Sequence, residues 1–462
     1  MSRSKTTRKK RGAGGKLLGA GLGLRLDRAA VVLGETFFWL LLISVWWFHD
    51  PEAKDAFRLP KQVLSQGLAL ASICALCWRL RGASLGLGQI KRCQVVRALV
   101  PLLLVASLGL VFSRYPLHLQ DALTSLAIGS LALVVWSCWL PVETLNRLVG
   151  GIVVPGVASA LVGISQFHGI WRPFDFAGEL ESQRLGVTSF AGSAGDLAVF
   201  LVLPCLIAQQ RWVVSTGRRR WGWAAALAIC LYALAVTQTL SALVALIVGS
   251  LVFWLIFAST KRVLAVATGL GLAASLLILV LAPLRARVVS KVQYLAKGKI
   301  DEVLTGRLDG WKGAWWMLSE NPLTGVGLGG YRAEFATAKM ALVDQGVEFF
   351  RGQHQVMFVN AHNEFLEVAA ELGWPGLVAL AWALWVLFQV LRNRTSRIQG
   401  KDAPALELQP RSRADSALAW SGVTGLAVCS LAQFPFRLAM VAFPAILFLA
   451  WVFARQSSEE PS

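Results

Sequence analysis

The sequence predicts an all-α, polytopic membrane protein with about twelve transmembrane helices and one large external loop that holds short helices. Three observations predict it. Hydrophobic residues make up 56% of the 462 positions before 42 glycines are added, whereas an average soluble domain reaches about 45–50% with glycine included. Charged residues are only 15%, against roughly 25% in soluble proteins. Apolar runs of about 20 residues, the length that crosses a bilayer, recur along the whole chain. A soluble globular enzyme, a coiled coil and a disordered chain are all excluded. The formal charge is nevertheless +19, from 45 Lys and Arg against 26 Asp and Glu. Both properties hold at once if the cations are kept out of the bilayer and gathered at its faces.

Residues 1–29 form a basic arm, RSKTTRKKRGAGGK at its core. It is too glycine-rich and too far from the first apolar run for a cleavable signal peptide. It is expected to be cytoplasmic and to touch anionic lipid rather than nucleic acid. Residues 30–283 hold nine spans, expected near 30–49, 62–80, 95–113, 118–140, 147–168, 193–210, 221–238, 240–258 and 263–283. The bend at Thr237–Leu240 leaves almost no loop between two of them. Residues 284–362 form the external loop, far longer than ordinary connections and for that reason a functional suspect. It contains a helix-like stretch (GRLDGWKGAWWMLSE), a Pro/Gly turn (NPLTGVGLGG) and a second amphipathic stretch (YRAEFATAKMALV). Residues 363–455 carry spans near 374–391, 416–433 and 437–454 with a basic loop at 392–415, and residues 456–462 are a tail. With both termini inside, 28 of the 45 cations fall on the inner face and 17 on the outer, ten of the latter in the long loop. Long loops translocate regardless of charge, so the short loops set the orientation.

Ionisable groups at membrane depth or on a folded external loop are functional suspects by default. The outer face offers Arg184, Arg307, Arg332, His354, His362, Glu364, Glu367, Glu371 and Arg437. Among the five histidines, His362 stands apart. It lies in VNAHNEFLEVAAELGWPG at the mouth of the tenth span, where Asn360 or Asn363 is placed to cap the helix. Glu367 and Glu371 follow on one helical face. Gly325, Gly327 and Gly330 in GVGLGG fit G-x-G-x-x-G, but no strand precedes them. The segment reads as a tight turn, or as amides approaching a phosphate, rather than a dinucleotide fingerprint. Cys74 and Cys77 form a lone C-x-x-C with no second pair, so no metal site is expected. External acidic ligand clusters are lacking and arginines are plentiful. That balance favours an anionic substrate held by guanidinium groups without metal or other cofactor.

Two further runs carry a resemblance. Arg307-Leu-Asp-Gly-Trp311, Trp315, Asn321-Pro-Leu-Thr-Gly325-Val-Gly327-Leu-Gly329-Gly330-Tyr331 is followed by Ala361-His362-Asn363-Glu364-Phe365-Leu366 and Glu371-Leu-Gly373-Trp-Pro-Gly376. In order and spacing they resemble the O-antigen ligase and polymerase family, bacterial inner-membrane glycosyltransferases of the GT-C type. Upstream, Arg184-Leu-Gly-Val-Thr-Ser-Phe190-Ala-Gly192 resembles another family element. The resemblance implies an undecaprenyl-diphosphate-linked glycan as donor and a glycan or lipid A core hydroxyl as acceptor. Chemistry would take place on the periplasmic face. It implies Arg307, Arg184 and Arg437 as diphosphate-binding candidates, His362 as the base, and Asn363 or Glu364 orienting it. The family's Ser-Arg element is missing, because the corresponding stretch, Thr237-Gln-Thr-Leu240-Ser241-Ala242, has no arginine. A ligase is the first reading. A polymerase of O-antigen or exopolysaccharide, a protein O-oligosaccharyltransferase and a polysaccharide transporter or flippase are the alternatives. A transporter would show midplane charges and two related halves, and neither is visible.

Overall fold

The computed structural model describes residues 35–53 except 41 and 45, 55–79, 93–173, 186–259, 278–350, 357–399 and 410–457, with Val32 and six positions between 268 and 276. The described elements are helical, and no strand occurs among them. A short helix α1 (Glu35–Ser44) precedes α2 (Arg58–Arg79), α3 (Gln94–Phe112) and α4 (Pro116–Trp139). Next come α5 (Val142–Gly151), α6 (Val153–Phe167), α7 (Ala194–Val214), α8 (Gly217–Val236) and α9 (Leu240–Phe257). Four non-spanning helices follow, α10 (Ala282–Ala296), α11 (Ile300–Leu304), α12 (Arg307–Glu320) and α13 (Tyr331–Asp344). The chain closes with α14 (Glu364–Gln399), α15 (Pro410–Ser430) and α16 (Ala439–Ser457).

Six of these are long and apolar enough to cross a membrane: α3, α4, the continuous α5–α6 run, α7, α9 and α14 as far as Ser396. The expected tally of twelve goes beyond those six. Glu35–Ser44 and Ala439–Ala454 are apolar but shorter. Helices α2, α8 and α15 stand where spans were expected near 62–80, 221–238 and 416–433, with lower apolarity over their length. Most of the expected span at 263–283, the basic arm, the 79–97 loop's centre, Arg184 and His354 lie outside the described residues.

Burial divides the helices. Helix α7 is buried almost all round, from Leu197 to Gln210, as expected for a uniformly apolar helix at the centre of a bundle. Small residues let its neighbours approach. A methyl group on Gly156 of α6 would lie 2.7 Å from the Pro204 ring, and one on Gly425 of α15 would lie 3.0 Å from Leu206. Close approach at small residues is how helices pack where lipid competes equally for apolar surface. By contrast α3 turns Leu104, Leu108, Val111 and Phe112 outward, the character of a lipid-facing helix. The main core joins Trp136, Leu148, Ile152, Phe200, Phe448 and Trp451. A second, smaller core under α12 and α13 holds Met317, Tyr331 and Phe335.

The tenth expected span differs in detail. Helix α14 starts ten residues before Trp374 and is broken at Gly373, whose φ of 64° and ψ of −164° are not helical. Its first part, 364–372, carries three glutamates and packs inside the protein, and its second part is the apolar span. At the break the carbonyls of Ala370 and Glu371 lose their helical partners. Val326 N–H and Gly327 N–H donate to them, at 2.9 and 3.0 Å, while Trp374 N–H donates to Pro322 O at 2.8 Å. The Gly-rich turn thus caps a broken helix.

Candidate active site

The site is assembled from chain segments far apart in sequence. Helix α12 sets its first wall. Gly310 fits beside the Ala361 carbonyl, where a Cβ would approach to 3.1 Å, and Tyr331 Oη donates to the Gly310 carbonyl at 2.9 Å. Asp309 accepts from Phe350 N–H at 3.0 and 3.2 Å, which ties down the first turn. Arg307, the first residue of α12, is thereby held near His362. Helix α10 brings Arg287 to the same place. The two guanidiniums are close enough to depress one another: burial lowers the pKa of Arg307, and Arg287 lowers it further. Arg287 is lowered by burial, and its Nε is buried without a hydrogen-bond partner. Among the described residues neither arginine forms an ion pair.

His362 lies within reach of the Arg307 charge. Its backbone φ is 54°, a left-handed conformation that is uncommon for a residue other than glycine. Both neighbours are pinned. Ala361 N–H donates to Glu367 Oε2 at 2.9 Å, and Asn363 Oδ1 accepts from Phe365 and Leu366 N–H at 3.1 Å each, capping α14. The imidazole meets Phe434 and Phe358 edge-on, with centroids 4.9 and 5.9 Å away. Its Nδ1 is buried and has no hydrogen-bond partner. Burial, and then the Arg307 charge, hold its pKa down to about 4; a side-chain hydrogen bond with Gln433 works the other way, and Arg58 adds to the depression. The ring is therefore neutral at physiological pH.

Two features of this pocket were not visible in the sequence motifs. Arg58, at the head of α2, lies over the Phe434 ring at 5.3 Å and donates to Asp196 Oδ2 from Nε and Nη2 at 3.2 and 2.9 Å. Asp196 sits in the first turn of α7, capped by Ser193. Gln433 joins from the α15–α16 connection, donating to Ser241 at 3.5 Å. It borders the Thr237–Ser241 turn, in which Gln238 has a φ of 53°. An arginine two residues before a proline at the head of an apolar run, as in Phe-Arg-Leu-Pro, is the only sequence signal for Arg58.

The other expected residues are placed differently. Arg437 donates to Glu371 Oε2 from Nη2 at 2.7 Å and pairs with Glu367 Oε1 through Nε at 3.1 Å. Burial would lower its pKa, but Glu367 and Glu371 outweigh that and raise it. Glu364 accepts from Phe436 N–H at 2.7 Å and Ser430 Oγ at 2.9 Å, so it fastens the α15–α16 connection to α14 and makes no hydrogen bond to His362. Gly325, Gly327 and Gly330 do not face the arginines. A Cβ on Gly325 would lie 2.3 Å from the Glu371 backbone, and one on Gly327 2.6 Å from Ser113 Oγ. Their N–H groups donate to Asn321, Glu371 and Gly327 carbonyls respectively. Among the described residues no group of three His, Cys, Asp or Glu is arranged to hold a metal ion.

In this helical protein a neutral histidine thus lies beside partly buried guanidiniums that form no ion pair among the described residues. Residues 225–402, from within α8 to just past α14, match the O-antigen ligase family. The apolar helices mark a membrane protein, and over the 178 matched residues of its 462 the chain is similar to O-antigen ligases, in line with the resemblance of Arg307 to Gly376. No curated protein matches it. The domain takes in Arg287, Arg307 and His362, while Arg58, Asp196, Gln433 and Arg437 reach it from outside the matched residues.

Proposed function

We propose that this protein transfers a glycan from an undecaprenyl-diphosphate-linked donor to an acceptor hydroxyl of the lipid A core at the periplasmic face of the inner membrane. The observation that carries this reading is the pairing of unneutralised cations, Arg307 and Arg287, with a neutral His362 whose Nδ1 has no partner. Buried polar atoms are seldom left unpaired, and catalytic groups are among the exceptions. Arg307 and Arg287 hold the diphosphate, and Arg58 supplies the cation that the Thr237–Ala242 turn lacks. In the transfer, the acceptor oxygen attacks C1 of the donor sugar and the C1–O bond to phosphate breaks. The electron pair stays on the diphosphate, where guanidiniums fixed in a dry pocket stabilise the growing charge. His362 takes the acceptor's proton. A diphosphate bound beside it cancels the Arg307 field, so its basicity rises when substrate is present.

Asn363 and Glu364 act on His362 through the backbone, one by capping α14 and the other by anchoring Phe436. Arg437 holds the floor through Glu367 and Glu371. The family resemblance adds Arg184 as a fourth cation for the donor. The test is transfer by the full-length protein in nanodiscs with an undecaprenyl-diphosphate oligosaccharide and purified lipid A core. Release of undecaprenyl diphosphate by wild type and its loss in His362→Ala are expected. Wild-type turnover that survives His362→Ala unchanged would overturn the role of the histidine. In a deletion strain, bare core with accumulating lipid-linked polymer supports ligation, whereas single repeat units on the core point to polymerisation.

A further inference from the structure

An apolar groove of about 270 Å³ runs between α14 and α15, walled by Phe365, Leu384, Phe388, Trp420, Ala427 and Leu431. It is not general looseness of α15. On its other side that helix is packed tightly, with a Cβ on Gly249 of α9 meeting the Ser421 carbonyl at 3.0 Å and one on Gly425 meeting Leu206 at 3.0 Å. The groove's walls are rings locked to one another. Phe388 stacks on Trp385 at 5.7 Å and meets Trp420 edge-on at 5.6 Å, while Trp420 Nε1 donates to Thr395 at 3.0 Å. Leu384, Phe388 and Leu431 are exposed along it, so it opens sideways on the face that lipid covers. From Trp420 to Leu431 it follows about 16 Å of helix.

One end of the groove abuts the site. Phe365 follows Glu364, Leu431 follows Ser430, and Glu364 accepts from Ser430 Oγ at 2.9 Å. The same carboxylate anchors Phe436, two residues from the Phe434 ring that touches His362. A cationic pocket joined end-on to an apolar groove in the bilayer is complementary to an amphiphile with an anionic head and a flexible hydrocarbon tail. We infer that the α14–α15 groove holds the first isoprene units of the donor's polyprenyl chain, an assignment that rests on the diphosphate reading of the Arg307–Arg287 pocket. The tail gains no transfer energy, because the bilayer is as apolar as the groove. It gains contacts with fixed rings and an orientation that presents the diphosphate to the arginines from one side.

The test is photocrosslinking of full-length protein in nanodiscs of phosphatidylethanolamine doped with undecaprenyl diphosphate. Benzoylphenylalanine replaces Leu384, 40% exposed at the groove's rim, or, as a control, Val244, which is 52% exposed on α9. The groove position is expected to capture the prenyl lipid at least fivefold more than the control, with the excess removed by inorganic diphosphate and by Arg307→Gln. Equal capture at the two positions overturns the groove. A groove-specific crosslink untouched by inorganic diphosphate and by Arg307→Gln supports the groove as a prenyl site while overturning the diphosphate pocket. Ala427→Trp, which fills the groove, provides the second arm. It should slow transfer from the undecaprenyl donor at least fivefold and leave transfer from a methyl-diphosphate donor, which carries no isoprene unit, within twofold. An equal loss on both donors counts against the inference.

Discussion

Two charged clusters meet at the start of α14, and they are built on opposite terms. On one side Arg437 sits between Glu367 and Glu371, both 1% exposed, and one cation serves two carboxylates. On the other, Arg307 and Arg287 stand side by side with no acidic partner among the described residues, and Arg307 adds to the burial that keeps His362 neutral. Burying a charge without a partner is costly. The first cluster avoids that cost by pairing, and the second bears it. The difference separates arginines held in ion pairs from arginines left without one, a distinction that the residue type alone does not make.

The sharpest way to break this comparison is to remove the proposed base, His362. His362→Ala should lower the transfer rate by about 10²–10⁴-fold, the usual contribution of a positioned general base, with unchanged protein levels. Single-turnover kinetics in nanodiscs measure it. A fall of less than about threefold would return His362 to the framework.

Removing each cluster's arginine separates them next. Arg437→Met leaves two buried carboxylates without their cation and should cost about 3–5 kcal/mol of stability, read as earlier thermal unfolding in detergent. Arg307→Met relieves a like-charge contact, so its unfolding should be unchanged or later while donor binding collapses. Arg307→Lys keeps the charge but not the two-pronged geometry, and its donor KM should rise about tenfold. If Arg307→Met unfolds as early as Arg437→Met, the two clusters are not different in kind.

The pH dependence follows from the His362 pKa of about 4. In the unfolded chain a histidine takes up its proton near pH 6.5, whereas in the folded protein it stays neutral until about pH 4. Stability from this group is complete above pH 6.5 and is lost as pH falls toward 4, by no more than about 3 kcal/mol. His362→Gln should flatten that part of the stability curve. For activity, the acid limb of kcat/KM belongs to the free enzyme and should lie well below pH 6. The limb of kcat belongs to the bound state and should lie higher, because the diphosphate offsets Arg307.

Much of the fold was legible in the sequence, because long apolar runs and their breaks are local signals. The helix at Arg307–Glu320, the turn after Asn321 and the α13 stretch could be read from residue order. So could His362, from its place in the Ala361–Leu366 motif. What could not be read was who faces whom. Arg437 and Arg307 look alike in sequence as cations of the outer face, and only packing puts Glu367 and Glu371 on one of them. Arg58, Arg287 and Gln433 lie 304, 75 and 71 residues from His362 in the chain and have no motif, so their convergence is a property of the bundle. The GVGLGG turn was open between a tight turn and a phosphate cradle. Its amides are used by Asn321, Ala370, Glu371 and Gly327 carbonyls, which a pattern of glycines cannot disclose.

The smallest expected effect sharpens the comparison at its boundary, because Arg58 belongs to both clusters' logic. It is paired, with Asp196 at 2.9 Å, yet its side chain is 39% exposed and its charge reaches His362. If Asp196 only neutralises Arg58, Asp196→Asn frees a cation and donor binding should tighten. If Asp196 aims Arg58 at the diphosphate, the amide keeps the shape of the carboxylate but loses its grip, and donor KM should rise about two- to fivefold while kcat holds. Arg58→Gln should then raise KM further, and the double variant should match Arg58→Gln alone, since Asp196 acts only through the guanidinium. Additive losses in the double variant would instead give Asp196 a role of its own in seating the Ser193–Asp196 turn of α7. The four-point comparison, run at two salt concentrations, reads the arginine's share directly. An exposed cation loses its pull as salt rises, and Arg307 in its buried corner should not.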